Sequence, residues 1–310
     1  MRDAPKISTT NVARCATLVA VCVCMPLCMR AEETTWVFVP TQAVAGGALD
    51  LRGLNERVAG EHGFIRHSAD SNGLVRGDGQ PLRLWGVAAH TGGNVTDDDM
   101  ARHARFLARM GVNSVRVGGA VSGIIPQHEG AAFTDINHGF LTTVWRTVAL
   151  MKREGIYTRI APLWDHGSIT YINPAWGLEG YTSGDTLNAL LFFEPKLQAA
   201  YKSWMRTLLT ATNCFTGVPL ACEPAVAIIQ IVSEDSMFFW WIDKVKGGPL
   251  RTLQSRFAEF LMARYGSLAA ATNAWHGSAL GGDEMAEGRM GLYPLAELVR
   301  WPVRAPARRL

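Results

Sequence analysis

Pro224-Ala225-Val226-Ala227-Ile228-Ile229-Gln230-Ile231-Val232-Ser233-Glu234-Asp235-Ser236 is the stretch on which the fold turns. From Ala225 to Val232 it is nearly continuous in apolar residues. A strand with one wet face alternates polar and apolar side chains, whereas an unbroken run suits a strand covered on both faces of a parallel sheet. The run ends at Ser233-Glu234-Asp235-Ser236. A carboxylate therefore stands at the C-terminal mouth of the strand, a good place for catalysis in a parallel α/β fold. Met237-Phe238-Phe239-Trp240-Trp241 follows. Such apolar surroundings raise a carboxyl pKa by desolvation, which a general acid working near neutral pH needs. The plainer alternative for Glu234 is a surface residue opening a loop.

Upstream, strands alternate with helices. Leu82–Val87 reads as a strand. Thr96 is an N-cap, with Asp97, Asp98 and Asp99 in the first turn where the helix dipole favours anions. That helix runs to Met110 and stops at Gly111. Asn113–Val117 is the next strand. A helix from about Phe140 to Glu154 ends at Gly155, and Ile156–Leu163 makes a third strand. A long helix covers about Lys196 to Ala211 before the fourth strand. Leu250–Tyr265 and Leu268–Trp275 are helical downstream. Residues 32–80 form a separate lead-in, with short strand-like pieces at Phe64-Ile65-Arg66 and Gly73-Leu74-Val75-Arg76. Gly77-Asp78-Gly79-Gln80 before Pro81 is a turn signal, so the lead-in reads as a hairpin capping one end of a larger domain, 81–310.

Alternating strands and helices give an α/β fold. No Gly-x-Gly-x-x-Gly follows the first strand, so the dinucleotide-binding version has no support. The loops after the strands are long and rich in Trp, His and Asp, which suits a (β/α)₈ barrel with its functional loops at the C-terminal strand ends.

The first residues are set apart by composition. Arg2, Lys6 and Arg14 precede an apolar run from Ala16 to Leu27. This is a positive region followed by a short apolar one, a secretory leader over residues 1–31, and too short for a membrane span. Cys28 leaves lipoprotein processing as the alternative; otherwise the protein is secreted or periplasmic. Of 30 Lys+Arg and 27 Asp+Glu, the leader holds Arg2, Lys6, Arg14 and Arg30 against Asp3, which leaves 26 of each sign. The mature chain is neutral, and nothing argues for nucleic acid or an anionic surface. Four of six cysteines also lie in the leader; only Cys214 and Cys222 remain. In an exported protein they could pair or stand as two free thiols, and their spacing lacks the partners of a metal site. The ten tryptophans fit sugar-binding clefts, where flat rings stack on sugar C–H faces, although core packing explains some of them.

Other catalytic patterns fail. There is no Gly-x-Ser-x-Gly elbow and no His-Glu-x-x-His helix. His128-Glu129 has no second His one helical turn on. His103 lies among Arg102, Arg105 and Arg109 on what reads as a solvated helix face. Asp97–Asp99 is better explained as helix-start acid than as a cation site.

Leu84-Trp85-Gly86-Val87, Gly111-Val112-Asn113-Ser114-Val115-Arg116 and the stretch from Pro224 to Ser236 together resemble the barrel glycoside hydrolases of clan A. That group includes the family-five cellulases and mannanases and several β-galactosidase families. The likeness runs from about Gly63 onward and is strongest at the fourth strand. It implies a retaining two-carboxylate mechanism on a β-linked oligo- or polysaccharide, with no metal or organic cofactor. The clan's acid/base Glu maps onto Glu234. Its second-strand Arg, which orients the nucleophile, maps onto Arg116. His166, in Leu163-Trp164-Asp165-His166, matches a sugar-binding His after the third strand. Trp164, Asp165, Ser233 and Trp240 complete the candidate substrate-binding set.

Two departures stand out. Ser233 replaces the clan's Asn, which bonds the sugar 2-hydroxyl. The nucleophile, a second Glu on the seventh strand, has no place either. Four βα units end near Trp275, and each unit takes ~30 residues or more. Glu284, Glu287 and Glu297 are the only later Glu residues, and none ends a strand-like run. Gly288–Pro294 still resembles the family's linker. The expectation is an α/β barrel truncated after about four βα units, inactive alone, with an uncovered face open to self-association. A catalytically inactive carbohydrate-binding or partner-assembled remnant is the alternative.

Overall fold

The computed structural model describes residues 47, 50–89, 95–118, 121–126, 128–162, 171–233, 235, 237 and 242–293. All belong to one compact unit, Ala45–Leu310. The leader read at residues 1–31 and the site candidates Trp164, Asp165, His166, Glu234 and Trp240 lie outside the described residues.

The chain is α/β with a parallel sheet. The lead-in is a small antiparallel sheet of three strands, β1 (Arg66–His67), β2 (Leu74–Val75) and β3 (Pro81–Leu82), in that order. The β2–β3 turn closes through Gly79 N donating to Arg76 O and Arg76 N to Gln80 O, both at 2.9 Å. The main sheet follows: β4 (Gly86–Ala88), α1 (Asp97–Arg109), β5 (Ser114–Gly118), a short α2 (Val121–Ile124), α3 (His138–Lys152), β6 (Tyr157–Ala161), α4 (Pro195–Thr210), β7 (Val226–Ile229), α5 (Gly247–Tyr265) and α6 (Leu268–Ala274). Its order is β4-β5-β6-β7, and all three pairings are parallel.

One expected element is divided. Leu82–Val87 reads as a single strand, but Leu82 pairs in the lead-in while Gly86 begins the parallel sheet. The cause is Asn113. Its side chain accepts from Trp85 N at 2.7 Å and donates to Arg83 O at 2.8 Å, taking backbone groups that a ladder would use. The lead-in sheet therefore extends to Leu82, and the parallel sheet begins at Gly86.

Helix ends follow local chemistry. Thr96 and Asp99 form a reciprocal capping box on α1, which satisfies two otherwise orphaned N–H groups. The buried residues of α1, Met100, Ala104, Leu107 and Ala108, recur at helical spacing, and the stripe joins the main core. Gly155, at φ 74°, follows α3; a Cβ there would lie 1.9 Å from the Glu56 carbonyl oxygen, so the position needs glycine twice over.

The sheet has two unlike faces. Val115, Val117 and Ile160 are buried against the helices in the main core, with Leu141, Val144 and Val148 of α3 and Leu197, Ala200, Trp204 and Leu208 of α4. On the opposite face, Ser114 aligns with Tyr157 and Arg116 with Arg159. The lead-in covers the N-terminal end of that face: Tyr157, Ala59 and Ala225 form a buried cluster against Ile65, Leu82 and Leu84. A buried polar knot sits beside it. Glu56 accepts from the Tyr157 hydroxyl, from Gly60 N at 3.0 Å, and meets His62 Nδ1 at 2.6 Å. Nearby, Lys152 at the end of α3 pairs with fully buried Glu223 at 2.7 Å.

Burial alone would push the Glu56 carboxyl up, but the hydrogen bonds from Tyr157, His62 and Gly60 outweigh it and hold it below its ordinary 4.5. A depressed carboxylate stabilises the fold above its unfolded pKa, and that contribution is lost as pH falls through the folded value. Glu56→Gln should therefore flatten the fall of melting temperature below about pH 4.5 and cost about 1–3 kcal/mol at neutral pH. Melts from pH 3 to 7 would check this; an acid limb as steep as in the parent would refute it.

Candidate functional site

The C-terminal ends of β5, β6 and β7 are fastened to one another by side chains. Gln230, just past β7, continues the pairing through its N–H to Ile160 O at 2.8 Å. Its carboxamide oxygen accepts from Arg159 of β6, and its nitrogen donates to Val232 O at 3.1 Å. From the helix side, the Tyr201 hydroxyl of α4 donates to Ile231 O at 2.8 Å. Burial pushes that phenol up to about 12, so it remains a donor at any ordinary pH.

These contacts bring the chain to Ser233, which is only 4% exposed. Arg116 Nη2 donates to Ser233 Oγ at 2.5 Å across 117 residues of sequence. The two sequence candidates that lie within the described residues are thus in contact, at the mouth of the sheet and on the face opposite the helices. The pairing changes what Ser233 can do. Its oxygen is engaged by a cation, so the hydroxyl proton is directed away from Arg116. An Asn here would bring a longer side chain into the place the guanidinium holds.

Asp235 is fixed too. Its carboxylate accepts Ala189 N at 2.8 and 2.9 Å. Ala189 is buried and left-handed, φ 66°, a conformation that costs a non-glycine residue free energy and persists only where surroundings enforce it. The β6–α4 loop that carries Ala189 is braced on both sides. Trp176 stacks on Phe133 at 4.7 Å and donates Nε1 to Ala131 O at 2.8 Å. Gly248 N donates to Glu179 O at 3.0 Å, and Lys246 Nζ meets Asp185 at 2.7 Å. That lysine, together with Thr182 N, holds the Asp185 carboxyl below the usual range. The described parts of the loops after β5, β6 and β7 are therefore joined into one frame.

Glu234 lies between two anchored residues, Ser233 and Asp235; its own side chain and those of Trp164, Asp165, His166 and Trp240 fall outside the described residues. Sequence reading missed Arg159, Gln230 and the anchoring role of Asp235. The available signal was a charged residue in the middle of the otherwise apolar Ile156–Leu163 run. Among the described tryptophans, Trp176, Trp204 and Trp275 are core residues, so packing explains part of the tryptophan excess. Cys214 and Cys222 are exposed free thiols. Among the described residues no group of three His, Cys, Asp or Glu is placed to hold a metal, and no helix is long and apolar enough to cross a membrane.

No protein-family model matches the chain, and no curated protein matches it. Solved structures it is similar to include glycoside hydrolases. A family 5 mannosidase from Rhizomucor miehei is 16% identical, with 64% of this chain and 53% of that chain covered at a TM-score of 0.42. The endo-1,4-β-mannanase of Rhizomucor miehei is 12% identical over 65% of this chain and 58% of that one, TM-score 0.42. An endo-β-1,4-mannanase from Thermotoga petrophila is 17% identical over 60% and 41%, TM-score 0.35. The chain spans about half the length of the first of these structures.

Proposed function

We propose that this chain is the acid/base-bearing portion of a retaining β-glycosidase of the clan A barrel type, exported by a leader over residues 1–31. The observation that carries the reading is the Arg116–Ser233 contact. It joins the second and fourth parallel strand ends directly before Glu234, which is where the resemblance puts the acid/base. The sequential parallel order β4-β5-β6-β7 is also what the first half of a (β/α)₈ barrel requires.

In this reading Glu234 protonates the leaving glycosidic oxygen while a second carboxylate, ~5 Å away, attacks the anomeric carbon. Glu234 then takes a proton from the water that cleaves the glycosyl ester. Arg116 serves as a fixed electrostatic group and not in proton transfer. No residue of this chain is assigned as that second carboxylate in this reading. The substrate is a β-linked oligo- or polysaccharide.

The test is direct. Purified chain should give no turnover of aryl β-mannosides, β-glucosides or β-galactosides, because retention needs two carboxylates. Turnover abolished by Glu234→Gln would prove a complete site in this chain and overturn the division of labour. The rival reading, a catalytically inactive carbohydrate-binding or partner-assembled remnant of such an enzyme, is favoured by the sheet edges left open among the described residues. It predicts that no assembly containing this chain acquires Glu234-dependent turnover.

A further inference from the structure

Arg116 and Arg159 lie directly opposite in the β5–β6 register. Opposed residues on neighbouring parallel strands share a face and stand ~5 Å apart at the backbone. Both are half-buried on the face that carries Ser233. Two guanidiniums so placed repel, and burial strengthens that repulsion. The second-strand arginine has a role in the glycosidase reading. Arg159 has none.

Arg159 is held by a neutral group. One N–H of its fork goes to the Gln230 carboxamide, which is itself oriented by Val232 O. Its Nε is buried with no protein acceptor, and among the described residues it makes no ion pair. Gln230 thus fixes the guanidinium without neutralising it. A fork fixed in this way presents its remaining donors to planar or tetrahedral oxyanions in a bidentate fashion. A neutral glycan offers no such group.

We propose that this site takes an acidic glycan, with Arg159 binding an oxyanion carried on the sugar, such as a uronic-acid carboxylate. This rests on the glycosidase reading and adds the substrate class. Occupation by the oxyanion would offset the Arg116–Arg159 repulsion.

Calorimetric titration of the full chain tests it with three probes: an oligo-β-1,4-mannuronate, neutral mannohexaose and inorganic sulfate. The acidic oligosaccharide should bind at least tenfold more tightly than the neutral one. Arg159→Gln should remove about ten- to a hundredfold of that affinity, the range of a hydrogen bond to a charged group. Neutral-sugar binding should fall by less than acidic-sugar binding, and a cooperative melt like the parent's shows that the variant is folded. Arg159→Lys, which keeps the charge without the fork, should fall between. Equal binding of acidic and neutral oligosaccharides, insensitive to Arg159, would overturn the acidic-glycan inference and leave the glycosidase reading intact. Sulfate binding as tightly as the mannuronate would also overturn it, by showing a site for free oxyanions. Binding of neither oligosaccharide would overturn the glycan reading and this inference with it.

Discussion

Glu234→Gln in the assembled enzyme should lower kcat on a poor-leaving-group substrate by about 10²–10⁴, the usual worth of a positioned general acid. Glutamine keeps the size and polarity of the side chain but has no proton to give. An alkyl or sugar leaving group departs as a high-energy alkoxide unless protonated, so the barrier rises by the full value of that assistance. A nitrophenolate needs no proton, so glycosylation of the enzyme should slow far less with nitrophenyl substrates. The variant should also lose the fall in rate at high pH, because that limb reports deprotonation of the acid. Initial rates against leaving-group pKa, taken across pH, would check both expectations. Equal losses on both substrate classes, with the alkaline limb retained, would mean that Glu234 is not the acid. The anchoring of Ser233 by Arg116 and of Asp235 by Ala189 N bears on the magnitude. These contacts hold the residues on either side of position 234, and geometry held in advance is a large part of catalytic advantage.

The parts of this molecule legible in the sequence are those decided within a few residues. Thr96 with Asp99 fixes the start of α1, and Gly111 and Gly155 follow α1 and α3, because capping and left-handed turns are local. The strands β5 and β6 show as short runs rich in β-branched residues, whereas the apolar run of β7, expected to be covered on both faces, lies half exposed at the sheet edge. Arg116 and Ser233 were legible through their motif, and the structure brings them into contact. What could not be read depends on distant partners. The break between Leu82 and Gly86 is imposed by Asn113, nearly thirty residues away. The pairing of Arg116 with Arg159 depends on strand register, which no local pattern encodes. Glu56 looks like an ordinary loop glutamate until Tyr157, a hundred residues on, closes over it. The capture of Asp235 by Ala189 belongs to the same class, since a left-handed alanine has no sequence signal.

The chain alone should not run as a monomer. β4 pairs only with β5, and β7 only with β6, so each outer strand leaves a row of N–H and C=O groups unpaired among the described residues. Such edges recruit other chains unless charge, proline or a bulge protects them. Here the edge residues are apolar: Trp85 is 67% exposed beside β4, while Ile228, Ile229 and Ile231 are 38%, 41% and 66% exposed along β7. Exposed apolar patches of this kind mark interaction surfaces. Both free edges belong to a parallel sheet, so the β7 edge of one copy is a match for the β4 edge of another. Two copies related by a two-fold axis would close a ring of eight parallel strands and leave no edge. Closure has an electrostatic cost, because Arg116 and Arg159 of both copies would face the same interior. Multiangle light scattering after size exclusion should therefore give open, dye-binding oligomers. Ile231→Lys should weaken the association by placing charge on the edge. A monodisperse monomer with a cooperative melt and no binding of a hydrophobic dye would show that the chain covers these edges itself, and the half-barrel account would fall.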